Sequence, residues 1–214
     1  MPSLHADALK KVYDRKIIFQ NVSLALEPSE WLAITGSNGS GKSTLLKILA
    51  AQAAATFGTV RYTIDGASLT PEQTRPYIGF VSPYLNFYDE LSGIENVSFA
   101  LRAKGTSLFK RELDELFDYF RLSEAQSKRV KVYSSGMIQR LRFIQAFASK
   151  PKFLFLDEPT ATLDDNGKTL FWNKLNQLIS QTIIVIASND HDEIAHCNSM
   201  LCIEAFKPTK KTPF

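Results

Sequence analysis

Gly36-Ser37-Asn38-Gly39-Ser40-Gly41-Lys42-Ser43-Thr44 decides the fold of this chain. The spacing is that of a phosphate-binding loop: glycine, four residues, then Gly-Lys-Ser/Thr. Just before it, Trp31-Leu32-Ala33-Ile34-Thr35 is an apolar run that predicts a buried strand. Just after it, Leu45-Leu46-Lys47-Ile48-Leu49-Ala50-Ala51 is apolar at helical spacing. Strand, glycine-rich loop and helix are the context in which the motif has chemical meaning. Glycines at 36, 39 and 41 allow a tight turn with N–H groups aimed inward, and those groups, with the positive end of the helix, cradle polyphosphate. Lys42 is expected to reach the β- and γ-phosphates of a nucleoside triphosphate, and the Ser43 hydroxyl to ligate Mg²⁺.

A second signal lies downstream. Phe153-Leu154-Phe155-Leu156-Asp157-Glu158-Pro159 is an apolar strand that delivers two adjacent carboxylates at its C-terminal end. In an open α/β sheet that edge binds ligands. Asp157 is placed to hold Mg²⁺, directly or through water. Glu158 is free to orient or deprotonate a water that attacks the γ-phosphate.

Around these two motifs the chain alternates strands and helices. Residues 3–12 and 16–26 read as strands joined by a turn at Asp14-Arg15, with Tyr13 beside it. Thr59–Ile64 reads as a strand ending at Asp65-Gly66, and Tyr77–Ser82 as another. From about Pro83 to Val132 the pattern is helical, with Phe109, Leu113, Leu116, Phe117 and Phe120 on one face. Residues 136–149 and 166–180 read as helices, 152–156 and 182–188 as buried strands, 190–196 as a short helix and 200–205 as a last strand. The fold class is therefore α/β, a P-loop NTPase core with a mainly parallel sheet. An N-terminal antiparallel β part and an inserted α-helical subdomain at about 84–150 complete one domain over 1–206. The Pro/Thr/Lys-rich tail, 207–214, is expected to be disordered.

Composition narrows the function. A length of 214 residues at 44% hydrophobic content is enough for one well-cored domain. The net charge of +3 owes three lysines to the last eight residues (Lys207, Lys210, Lys211), so a nucleic-acid surface is not indicated. There is no apolar run of about 18 residues to span a membrane, and no basic-then-apolar leader, which argues for a cytosolic protein. Cys197 and Cys202 are expected to be free, partly buried thiols. His5, His191 and His196 are too scattered for a zinc site.

A third stretch separates this chain from other nucleotide hydrolases. Tyr133-Ser134-Ser135-Gly136-Met137-Ile138-Gln139-Arg140-Leu141 resembles the signature motif of ATP-binding-cassette (ABC) ATPases, usually Leu-Ser-Gly-Gly-Gln. Thr160-Ala161-Thr162-Leu163-Asp164 is similar to that family's loop after the second carboxylate, which adds Asp164 to the nucleotide contacts. Tyr13 falls where the family places an aromatic that stacks on adenine. On its own chemistry, Ser134-Ser135 opens a helix whose capping oxygens and free N–H groups point outward at its positive end. In the family that end, here Ser134, Ser135 and Gly136, meets the γ-phosphate held by a second subunit. The resemblance thus implies a homodimer, or a paired cassette, with ATP and Mg²⁺ at the interface. It also implies a separate transmembrane permease subunit, which would dock on the loop of Leu85, Phe87, Tyr88 and Leu91, and a place on the inner face of the cell membrane.

Two positions depart from the family pattern. Pro83 stands where a strand normally ends in Gln, and proline offers no side-chain hydrogen bond. Asn189 stands where a His contacts the γ-phosphate; Asn donates a hydrogen bond but carries no charge. Both losses predict a slow ATPase, and His191 is the nearby candidate to compensate. Other functions stay open at this point: a degenerate cassette that binds ATP as a regulatory switch, a soluble ABC ATPase outside transport, and a small-molecule kinase or GTPase. The last lacks support because Asn173-Lys174-Leu175-Asn176 lies mid-helix and does not complete a guanine motif.

Overall fold

The structure, a computed structural model, describes residues 1–106 and 109–208. Most of the expected tail, from residue 209 on, lies outside the described residues. Strands β1 (Pro2–Tyr13), β2 (Lys16–Leu26), β4 (Phe57–Ile64) and β5 (Ala67–Leu69) form an antiparallel sheet in the order β2-β1-β4-β5. Its two hairpins turn on left-handed pairs, Asp14-Arg15 (φ 46° and 63°) and Asp65-Gly66 (φ 50° and 82°). Such turns match the twist of the strands they join. Strands β3 (Trp31–Thr35), β6 (Ile78–Val81), β7 (Phe153–Asp157), β8 (Ile183–Ala187) and β9 (Ser199–Cys202) form a second sheet, parallel throughout, in the order β6-β7-β8-β3-β9.

The apolar composition of β8, and of β7 up to Asp157, has a direct cause. Phe153, Phe155, Ile183, Val185 and Ala187 pack toward helix α1 (Lys42–Leu49) and the antiparallel sheet. Leu154, Leu156, Ile184 and Ile186 face the other way, into a core shared with the helices that follow. All nine side chains are fully buried, as a strand covered on both faces requires.

After β5 come a single helical turn, α2 (Pro71–Thr74), and then β6. Between β6 and β7 lie α3 (Gly93–Ala103), α4 (Lys110–Tyr119) and α5 (Ser135–Ala148). The Ser92 side chain and Glu95 cap α3 reciprocally. Phe120, Phe143 and Phe147 stack beneath, joined by Phe171 of α6 (Asp165–Asn176). The last helix is α7 (His191–Ala195).

Several boundaries differ from the sequence expectation. Phe109 does not join the buried face of α4: it precedes the first helical residue and is 81% exposed. Helix α6 stops at Asn176, not residue 180. The last strand ends at Cys202, because Ile203–Phe206 tightens into a 3₁₀ turn. Cys202 is exposed, not partly buried. β5 and α2 were not expected, being only 3 and 4 residues long.

Candidate nucleotide site

The parallel sheet brings the distant motifs to one edge. β3, β6, β7 and β8 all run the same way, so Gly36, Ser82, Asp157-Glu158 and Ser188-Asn189 emerge side by side at their carboxyl ends. That edge is where open α/β sheets bind ligands.

The phosphate loop is strung between β3 and α1. Gly36, Gly39 and Gly41 take φ of 141°, 75° and 115°, a region closed to most side chains. A Cβ on Gly41 would lie 2.7 Å from Ile18 Cγ2, so glycine is required there for space as well. Ser40 N–H donates to the Ser37 carbonyl (3.0 Å), which closes the turn. No side chain caps α1, so the N–H groups of Lys42, Ser43 and Thr44, at the head of the helix, have no partner within it. The Ser40 hydroxyl is buried and also lacks a partner. Free donors and an orphaned buried hydroxyl in one cradle fit a polyphosphate. Lys42 is buried, its Nζ donating to the carbonyls of Gly36 (2.7 Å) and Ser37 (3.4 Å).

Ser43 Oγ donates to Asp157 Oδ1 at 2.9 Å, which joins loop and carboxylate strand. Ser82 Oγ, at the end of β6, donates to Asp157 Oδ2 at 3.4 Å. Burial pushes the Asp157 carboxyl above the usual carboxylate range, against the pull of the Ser43 and Ser82 hydroxyls and of the Lys47 and Lys42 charges. Two hydroxyls and a desolvated carboxylate are an oxygen set that suits a hard divalent cation. Among the described residues no cluster of three or more His, Cys, Asp or Glu offers another metal site.

Glu158 is the next residue, and its backbone reverses to φ 45°. The turn is pinned from three sides. Glu158 N–H donates to the Ala187 carbonyl (3.0 Å), Gln139 Nε2 donates to the Pro159 carbonyl (2.6 Å), and Thr160 N–H and Oγ1 donate to the buried Glu193 Oε1 (2.7 and 2.6 Å). Side chain Glu158 is left exposed at the sheet edge. Asn189 is brought onto the phosphate loop, with Nδ2 donating to Asn38 Oδ1 at 3.1 Å. His191 heads α7 and is exposed.

Three predicted groups stand apart from this cluster. Ser134 caps α5 by accepting from Met137 N–H (3.3 Å), and Ser135 and Gly136 begin the helix; both serines are exposed. Asp164 caps α6 through Gly167 N–H (2.8 Å) and pairs with Arg140 (2.9 Å), contacts that hold its carboxyl below the usual range. Tyr13 ends β1 in the other sheet, half exposed, with Lys11 Nζ 4.6 Å from its ring centroid. Pro83 contributes its carbonyl, which accepts from Arg142 Nη2 at 2.7 Å.

Sequence motifs did not reveal Ser82, Gln139, Glu193 or Glu204. Ser82 was within reach, since a strand ending at the same edge must present its last residue there. Glu193 and Glu204 act from outside the motifs through long-range contacts, and Gln139, inside the signature stretch, acts by reaching across to the Pro159 carbonyl. Glu204 Oε1 accepts from Ser37 N–H (2.5 Å) and Ser37 Oγ (2.8 Å).

Comparison with known proteins agrees with this geometry. The ABC transporter family matches residues 19–161. An ABC transporter ATP-binding protein of Bacillus subtilis, YxlF, is 32% identical over 204 residues, covering 94% of this chain and 68% of that protein. The lipoprotein-releasing system ATP-binding protein LolD 1 of Chlorobium chlorochromatii is 34% identical over 192 residues, covering 84% and 76%. Among solved structures, an ATP-binding subunit of an ABC transporter superposes with a TM-score of 0.83 at 25% identity, over 94% of this chain and 85% of that one. A dimeric ATP-binding cassette bound to ADP and phosphate superposes at 0.82 with 24% identity, over 97% of each chain. This chain belongs to the ABC transporter family, as an ATP-binding and ATP-hydrolysing subunit.

Proposed function

We propose that MgATP binds at the carboxyl edge of the parallel sheet and that two cassettes close on it to drive a separate transmembrane permease. The observation that carries the site is the Ser43–Asp157 hydrogen bond, which joins the phosphate loop to the carboxylate strand. The residues from Gly36 to Thr44 wrap the phosphates. Lys42 leaves the Gly36 and Ser37 carbonyls for the β- and γ-phosphate oxygens. Ser43 and Asp157 would hold Mg²⁺, which would supply positive charge to offset that of the phosphates. Glu158 accepts a proton from the water that attacks the γ-phosphorus, and its pinned turn keeps the carboxylate in position. Tyr13 stacks on the adenine.

Dimerisation is supported by the capped, exposed start of α5. Ser134, Ser135 and Gly136 offer a positive helix end, with both serines exposed, that suits an anionic ligand. A second copy's γ-phosphate supplies it, and Asp164, fixed by Arg140, lines the same closing surface. The helical block at about 84–150 forms the inserted subdomain, within one domain over 1–206. Tyr84 and Tyr88, 75% and 60% exposed, support the loop after β6 as the permease contact. No helix among the described residues is long and apolar enough to cross a membrane, so we place the translocation path in the partner and the cassette on the membrane's inner face. Hydrolysis is slow, because Pro83 gives only a carbonyl that Arg142 already occupies, and Asn189 brings an amide in place of a cationic ring.

The test is the mass of the Glu158→Gln variant, by light scattering, with and without MgATP. A shift from monomer to dimer on adding MgATP is expected, and adding Lys42→Ala should abolish it. A mass that stays monomeric with ATP bound would overturn the composite site.

A further inference from the structure

The 3₁₀ turn Ile203–Phe206 follows β9. β9 runs parallel to β3, with Cys202 opposite Thr35, so the chain leaving β9 emerges beside the start of the phosphate loop. There Glu204 meets Ser37. A single carboxylate oxygen, Oε1, accepts from both Ser37 N–H (2.5 Å) and Ser37 Oγ (2.8 Å). The other, Oε2, accepts from Cys202 Sγ at 3.4 Å. Lys42 Nζ takes the acceptors of the same segment, the carbonyls of Gly36 and Ser37. Gly36-Ser37 is thus held by a carboxylate through its donors and by an ammonium through its acceptors.

The fit is close. At Gly36 a Cβ would lie 2.8 Å from Ile203 Cγ2 and 2.9 Å from Glu204 Cδ. The two hydrogen bonds from Ser37 lower the Glu204 carboxyl to about 2, so it is ionised at any working pH. Lys42 must release its two carbonyls to reach a phosphate, and Glu204 then keeps its hold on Ser37. A loop held in its binding conformation avoids the ordering cost that a free loop pays on binding.

We propose that Glu204 is a positioning residue for ATP, fixing the Ser37 end of the phosphate loop in the conformation that receives the polyphosphate. The proposal rests on the loop being the ATP site. The family match ends at residue 161, well before Glu204, and no sequence motif includes it. A carboxylate beside a polyphosphate site would weaken binding if its charge dominated. Here both Ser37 donors saturate one oxygen of a partly exposed group that solvent screens, so the holding effect outweighs repulsion.

The test is the dissociation constant for MgATP, by titration calorimetry on the full chain carrying Glu158→Gln, together with the melting temperature without nucleotide. Glu204→Ala should weaken binding about tenfold, as loss of two hydrogen bonds implies. Glu204→Gln, whose amide oxygen still accepts from Ser37, should stay within about threefold of the parent. Ser37→Ala should weaken binding by about threefold alone, and far less on top of Glu204→Ala. A purely structural role would lower the melting temperature and leave the affinity of the folded protein unchanged. Unchanged or tighter binding in Glu204→Ala, or Glu204→Gln as weak as Glu204→Ala, would overturn the proposal. If Glu204→Ala does not fold, Ser37→Ala decides: parental affinity there overturns it as well. A parent that binds no MgATP would overturn the ATP site itself, whereas a defect missing only from the variants overturns the role of Glu204 alone.

Discussion

Asp157 sits in an environment that disfavours its own charge until something cationic arrives. Burial raises its pKa, and two serine hydroxyls only partly offset that. The sign of the pH effect follows. The penalty is absent below the ordinary carboxylate pKa of 3.8, where folded and unfolded chains both carry the proton. It grows as pH rises through the raised folded value and is complete above it. Asp157→Asn should therefore match or exceed the parent's melting temperature at pH 7 without nucleotide, with the difference shrinking as pH falls toward 4. The same variant should lose the extra stabilisation that Mg²⁺ adds to ATP. Destabilisation at pH 7 together with intact Mg²⁺ dependence would contradict both the burial penalty and the metal role. The carboxylate itself was legible in the sequence, because an apolar strand ending in Asp-Glu has few other uses. Ser82 was legible as the residue ending a strand at that edge, but its contact with Asp157 was not, because the order of strands across the sheet is not written in any single strand.

Elements with strong periodicity were legible for the same reason they are stable. β7 and β8 read as buried strands since every residue but the terminal Asp157 is apolar and both faces are covered. β5 and α2 escaped notice because a few residues are too short for any period to show. Phe109 misled because apolar spacing continues past the point where helical backbone begins. At the end of α3, Lys104 is a half-buried cation whose Nζ donates to the Ile78 carbonyl of β6 at 2.7 Å. Burial lowers its pKa to about 8. Below that value the folded protein bears the full cost of a desolvated ammonium. Stability then rises with pH from about 8 to 10.5, where the unfolded chain binds more protons than the folded one. Lys104→Met keeps the apolar stem. It should raise the melting temperature at pH 7, and the gain should fade across that window. A difference that does not change with pH would show that desolvation of Lys104 is not its source.

At the scale of the molecule, we propose that the nucleotide edge is one half of a γ-phosphate site and that the start of α5 is the other half. Both halves were visible as sequence motifs, yet the structure keeps them separate within the chain: neither Ser134 nor Ser135 hydrogen-bonds to the phosphate loop among the described residues. In this reading, completion by a second cassette makes hydrolysis depend on protein concentration. In the same reading, the pinned turn that presents Glu158 makes hydrolysis depend on that carboxylate. Both were expected from the motifs; what no motif carried is the pinning of the Glu158 turn by Gln139 and Glu193, which follows from where the fold places those residues. The measurement that tests this most directly is the ATP hydrolysis rate against concentration of the purified protein, beside Glu158→Gln. The account predicts a rate per chain that rises with concentration, stays below the roughly 10 per second of a median enzyme, and vanishes in Glu158→Gln. A rate per chain that is flat with concentration, or one that survives in Glu158→Gln, would contradict it.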